Sequence, residues 1–148
     1  MNRFALVAFA GAVLSATAAL AAGGPAVLDQ PAQTVALDSQ TTINGVAVAC
    51  TGIGDTRADA KWATYPIRVE FSGARNEYMS EAVAALIDGK GKTVAVVRCD
   101  GPWLLLKPAP GDYSVFAKLV DSPAKPRSAR FTTPKSRQQR IVLQFPDS

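Results

Sequence analysis

The amino-acid sequence predicts an all-β protein, an antiparallel β-sandwich of seven or so short strands held by one disulfide. Three observations predict it. Apolar and charged residues alternate in Ile67-Arg68-Val69-Glu70-Phe71, which gives a strand with one face buried and the other wet. Apolar runs of strand length recur along the chain between Gly, Pro, Asn and Asp clusters, at the spacing of about 8 to 12 residues found in sandwiches. The chain has only two cysteines, Cys50 and Cys99, each ending an apolar stretch. In an oxidising compartment an isolated pair is expected to form a bridge, with two buried free thiols as the alternative. Closing a loop of that length is worth about 4 kcal/mol in the chain-entropy description.

The first element is an address. Arg3 supplies a positive start, Phe4 to Ala22 carries no charge, and Ala19-Leu20-Ala21 has the small-x-small pattern of a cleavage site. Residues 1–21 are therefore expected to be a secretory signal peptide, with an uncleaved anchor as the alternative. Residues 22–40 are Gly-, Pro-, Ala- and Gln-rich and are expected to form a flexible or loosely docked leader. Residues 41–148 are long enough for one domain with its own core.

Within that domain Ile43, Val46 and Val48 lead into Cys50 as one stretch, and Ile67–Phe71 follows. Tyr78–Ile87 contains good helix formers, but Asp88-Gly89-Lys90-Gly91 after it suits a hairpin turn into Thr93–Val97, so it is expected to be a strand. Gly101-Pro102 breaks the chain before Trp103-Leu104-Leu105-Leu106. Pro108-Ala109-Pro110-Gly111-Asp112 turns it into Tyr113–Val120, and strands at about Ser128–Thr133 and Arg140–Phe145 close the domain.

The segments Asp88-Gly89-Lys90-Gly91-Lys92-Thr93-Val94, Gly101-Pro102-Trp103 and Pro110-Gly111-Asp112-Tyr113-Ser114-Val115-Phe116-Ala117 resemble the carboxypeptidase regulatory-like domain. Its recurring line is a D-x-x-G-x-x-V hairpin followed by L-P-x-G-x-Y-x-V-x-A, with Ala109 here in place of the Leu. Gly52-Ile53-Gly54-Asp55-x-Arg57, Phe71 and Glu77-Tyr78 are similar to a group of small proteobacterial secreted proteins of this type. The resemblance spans about Gly45 to Phe145. It implies a transthyretin-like (prealbumin-like) variant of the Ig-like sandwich, acting as a binding or accessory domain without catalysis.

The residue inventory narrows the chemistry. With no histidine anywhere, Ser-His-Asp and Cys-His sites and His-ligated zinc have no parts to be built from. The histidine-dependent hydrolase of the transthyretin-like fold is set aside for the same reason. Gly91-Lys92-Thr93 mimics the end of a phosphate-binding loop, but Leu86 stands where that loop needs its first glycine. Gly52-Ile53-Gly54 opens like a dinucleotide fingerprint and fails at Arg57. Glu77 with Glu81, or Asp55 with Asp59, would not be aimed at one point in a β protein, and Lys90 and Lys92 oppose a cation at Asp88. A non-enzyme without metal or cofactor is expected.

The candidate binding residues are aromatic and charged. Trp62 and Tyr65, in a loop entering a strand, are candidates for stacking on sugar rings; Trp103 is expected to pack in the core against the disulfide. Asp55 and Arg57 lie in the loop after Cys50, as partner contacts or as an ion pair ordering a turn. From Lys118 to Ser148 there are seven Lys or Arg against two Asp, expected to be a solvated edge, with a basic face toward anionic envelope polymers as the alternative. The expectation is a periplasmic accessory protein contacting another envelope protein. Binding of carbohydrate or a peptidoglycan fragment is the alternative. Nucleic acid is not expected, nor a membrane span once the signal is removed.

Overall fold

The computed structural model describes residues 25–148; the expected signal peptide and its cleavage site at Ala21 lie outside the described residues. Two five-stranded sheets stack face to face. The first, sheet A, has the order β1 (Gln33–Val35), β6 (Thr93–Cys99), β5 (Ala82–Asp88), β8 (Asp112–Leu119), β9 (Arg127–Thr132). The second, sheet B, has the order β10 (Gln139–Phe145), β4 (Ile67–Gly73), β7 (Trp103–Lys107), β3 (Val46–Thr51), β2 (Ser39–Ile43). The sandwich and its Cys50–Cys99 bridge are as the sequence predicts.

Two features of the architecture correct the expectation. The strands number ten among the described residues, and the sheets are mixed: β1 pairs parallel with β6, and β10 parallel with β4. The reason is connectivity. β1 and β10 each adjoin in sequence only a strand of the opposite sheet, so no tight hairpin forces them antiparallel to their neighbours. The expected single stretch from Ile43 to Cys50 is instead two strands. Asn44 and Gly45 both take positive φ, 47° and 81°, and form the tight turn that joins β2 to β3.

The stretch expected as a loose leader is, from residue 25 on, part of the sandwich. A 3₁₀ turn at Pro25–Asp29 buries Val27 and Leu28 against Ala85, Ile87 and Val96 on the outer face of sheet A. Gln33–Val35 then pairs with β6, and β2 begins at Ser39. Short apolar residues among Pro and Gln gave no periodicity to read, yet they seal exposed parts of sheet A.

The core lies between the sheets. Val48, Cys50, Ile67, Val69, Phe71, Leu104, Leu106 and Phe145 meet Ala84, Leu86, Val97, Cys99, Val115 and Ala117. Each large side chain removed from water there stabilises the fold by about 1.5–3 kcal/mol. The disulfide joins β3 to β6, so it clamps one sheet to the other. The β5–β6 hairpin turns where expected. Asp88 accepts from the Lys90 and Lys92 amides, both at 2.9 Å, which assigns its carboxylate to the turn. β5 begins at Ala82, four residues later than expected, and Tyr78 makes only an isolated bridge to Ser72.

The outer face of sheet B as the candidate functional site

β3 and β4 are consecutive in sequence but separated in the sheet by β7. The chain linking them must therefore pass over β7, and it does so across the outer face. This crossing segment places the candidate binding residues. Trp62 and Tyr65, 3% and 6% exposed, pack with Ala49 and Leu105 beneath a 3₁₀ turn at Ala60–Thr64. The Trp62 indole N–H donates to the Thr56 carbonyl at 2.8 Å, and the Gln138 amide donates to the carbonyls of Trp62 and Tyr65 at 2.9 and 3.0 Å. Burial raises the Tyr65 pKa. Neither ring presents a free face for stacking on a sugar, so these residues form a second, smaller core on the outside of the sheet.

Asp55 and Arg57 are exposed and do not form an ion pair with one another. The turn they occupy is ordered by Asp38, whose carboxylate accepts from the Thr51 hydroxyl at 2.6 Å and the Thr56 hydroxyl at 2.9 Å. Gly52 is required by a different neighbour. Its φ is 110°, and a β-carbon there would lie 2.7 Å from Cγ of Trp103. Arg57, Trp62, Arg68 and Trp103 border one shallow cleft of about 160 Å³.

Beyond the crossing segment the same face holds a polar and aromatic cluster that sequence reasoning missed. Glu70 is 1% exposed. Its carboxylate accepts from Arg140 Nη2 at 2.6 Å and lies 2.9 Å from Arg68 Nε, an ion-pair contact off the donor direction. The bond to Glu70, and then its charge, raise the Arg140 pKa, with a smaller contribution from Tyr78. The Arg68 guanidinium stacks over the Trp103 ring with its carbon 4.4 Å from the centroid. Tyr78 meets Trp103 edge-on, with the ring centroids 6.2 Å apart.

Register assembles the cluster. Glu70 lies opposite Trp103 on β7 and beside Val142 on β10, while Arg68 lies beside Arg140. Trp103 is buried, as expected, but on the outer face: its neighbours Leu104 and Leu106 are the ones that enter the core between the sheets. Its indole N–H and the buried Ser72 hydroxyl have no hydrogen-bond partner among the described residues. Tyr78 and Val142 are 47% and 41% exposed. The alternation in Ile67–Phe71 gave the correct inward face but not the burial of Glu70.

Among the described residues, no three Asp, Glu or Cys side chains converge as metal ligands. A broad depression of about 740 Å³ lies on the outer face of sheet A, lined by Ile87, Asp88, Asp112, Phe116 and Arg130. Its carboxylates already serve the fold, Asp88 in the hairpin and Asp112 accepting from the Thr132 hydroxyl at 2.5 Å. Comparison with protein-family models and with curated proteins finds no match to this chain.

Proposed function

We propose that the chain is a non-enzymatic accessory protein of the bacterial periplasm, exported through a cleaved signal, which binds another envelope protein through the outer face of sheet B. The observation that carries this reading is a buried Glu70 flanked on one side by Trp103, with the partly exposed Tyr78 edge-on to it, and on the other by the exposed Arg140 and Val142 of β10. Aromatic residues and arginine around a desolvated centre are the composition of an interface hot spot. Arg140 is held in place by Glu70, so less side-chain entropy remains to be lost on docking. The bridge between Cys50 and Cys99 supports an oxidising compartment. The sandwich is read as the carboxypeptidase regulatory-like, transthyretin-like type, supported by the Asp88–Val94 hairpin and the Pro110–Ala117 turn and strand.

The test is site-specific photocrosslinking in the native envelope, with the reactive residue at position 78 or 142 and a control at Lys90 in the distant β5–β6 hairpin. A discrete protein adduct from 78 and 142, absent from 90 and reduced by Arg140→Ala, is the expected result. Equal adducts at all three positions, or none, overturn the reading. The glycan alternative is separated by tryptophan fluorescence of Trp62→Phe protein. A response of Trp103 to muropeptides, without a protein adduct, would favour it.

A further inference from the structure

A sheet edge exposes backbone groups that seek partners, and proteins shield such edges by brevity, proline or charge. The four edges here are unequal. β1 has three residues, β2 is the polar run Ser-Gln-Thr-Thr-Ile, and β9 is bracketed by Pro126 and Pro134. β10 has seven residues with no proline among them, and among the described residues only β4 pairs with it. The Gln139 amide donates to the Pro66 carbonyl at 2.8 Å. Alternate residues of a parallel strand point their backbone groups the same way. Those of Ile141 and Leu143 therefore face β4, and those of Arg140, Val142 and Gln144 face outward.

The surroundings of this edge are one-signed. From Ala124 to Pro146 the chain has six Lys or Arg and no Asp or Glu. β9 and β10 are the facing edges of the two sheets, so these cations gather on one side of the sandwich. Arg127 pairs with Asp147, and Arg140 with Glu70. Lys125, Arg130, Lys135 and Arg137 have no ion pair among the described residues. An incoming chain is thus offered amide donors, carbonyl acceptors, an exposed Val142 and unneutralised positive charge.

Resting on the protein-partner reading above, we infer that the partner contributes an extended acidic segment that adds as a strand to the free edge of β10. Its backbone pairs with Arg140, Val142 and Gln144, and its carboxylates meet the basic side of the sandwich. A sulfated or phosphorylated polymer fits less well. It would satisfy the cations, but it has no evenly spaced donors for the outward carbonyls and no apolar group for Val142.

The probe is a fluorescein-labelled ten-residue peptide of alternating Glu and Val, followed by anisotropy against the oxidised protein. Loss of one backbone hydrogen-bonding row should weaken it about tenfold. This loss is produced by N-methylating alternate residues of the peptide, which leaves the protein unaltered; Val142→Pro deletes one outward amide that the fold does not use and should weaken binding about threefold. Lys135→Glu with Arg137→Glu should weaken binding about fivefold, less so at high salt. No binding of the peptide, equal binding of its N-methylated form, or equal displacement by a sulfated polysaccharide or by anionic phospholipid vesicles overturns the inference. So does a protein dimer that Val142→Pro dissociates, since the edge is then occupied by a second copy. Crosslinks from positions 78 and 142 that persist when the peptide fails leave the protein-partner reading intact and remove only the strand addition.

Discussion

Replacing Glu70 by Gln keeps the shape of the side chain and removes the charge that two guanidiniums share. The Glu70 side chain is 2% exposed, while those of Arg68 and Arg140 are 26% and 57% exposed. Breaking a fully buried pair from one side costs about 3–5 kcal/mol, because the remaining charge is stranded without water. Here Arg140 rehydrates freely and Arg68 partly, and it keeps its stacking on Trp103, so the loss is discounted to about 2 kcal/mol. Arg140→Ala should cost about 1–1.5 kcal/mol, since Glu70 is left with the poorly aligned Arg68. The double variant should be less destabilised than the sum of the two, with a coupling of about 1 kcal/mol. Urea unfolding of the oxidised protein measures this. At the slope of about 1–3 kcal/mol per molar usual for small proteins, Glu70→Gln moves the midpoint by about 1 M. A midpoint within about 0.2 M of the parent, or additive single effects, would refute the claim that Glu70 and Arg140 are energetically coupled.

Three further outcomes follow from the same contacts. Reduction of the Cys50–Cys99 bridge, which spans 49 positions, should lower stability by about 4 kcal/mol; calorimetry with and without reductant checks it, and an unchanged melting temperature contradicts it. Gly101→Ala places a β-carbon 2.5 Å from the Thr51 carbonyl oxygen and 2.8 Å from Leu37, and the forced shift should cost about 1–3 kcal/mol by urea unfolding. Burial raises the Tyr65 pKa from its ordinary value of 10.0. The folded state thus favours the protonated phenol, a stabilisation complete below the unfolded pKa and lost as pH rises through the folded one. Burial, and then the Asp88 charge, also raise the Tyr113 pKa, so absorbance titration above pH 10 should show a late component that Tyr65→Phe reduces and that is lost only when Tyr113 is replaced as well.

The inward half of this fold was legible because inward positions are governed by a single rule. Ile67, Val69 and Phe71, or Val115 and Ala117, recur every second residue because one side of each strand faces a dry core. The hairpin at Asp88–Gly91 was legible because its turn chemistry is local. Asn44-Gly45 carries an equally local signal, an Asn-Gly pair between strand-like runs, but Val46 and Val48 continue the alternation toward Cys50 and mask it. β1 had no comparable signal. Three residues pairing with β6 depend on where β6 lies, which no window around Gln33 records.

The outer face obeys a different logic, and this explains why its contents escaped. The burial of Trp62 follows from topology: with β7 inserted between β3 and β4, the connection has to cross the face, and an aromatic on its underside is covered. Glu70 becomes buried because Trp103 arrives beside it from a strand 33 positions later, and Arg140 reaches it because β10 adds in parallel at a particular register. A one-residue slip of β10 would turn Arg140 inward and Ile141 outward, and the cluster would vanish with the local sequence unchanged. The inward residues Ile141, Leu143 and Phe145 therefore fix Arg140 at Glu70 more firmly than the ion pair itself does. Core packing and the polar site are in this respect one constraint, set by the parity of a single edge strand.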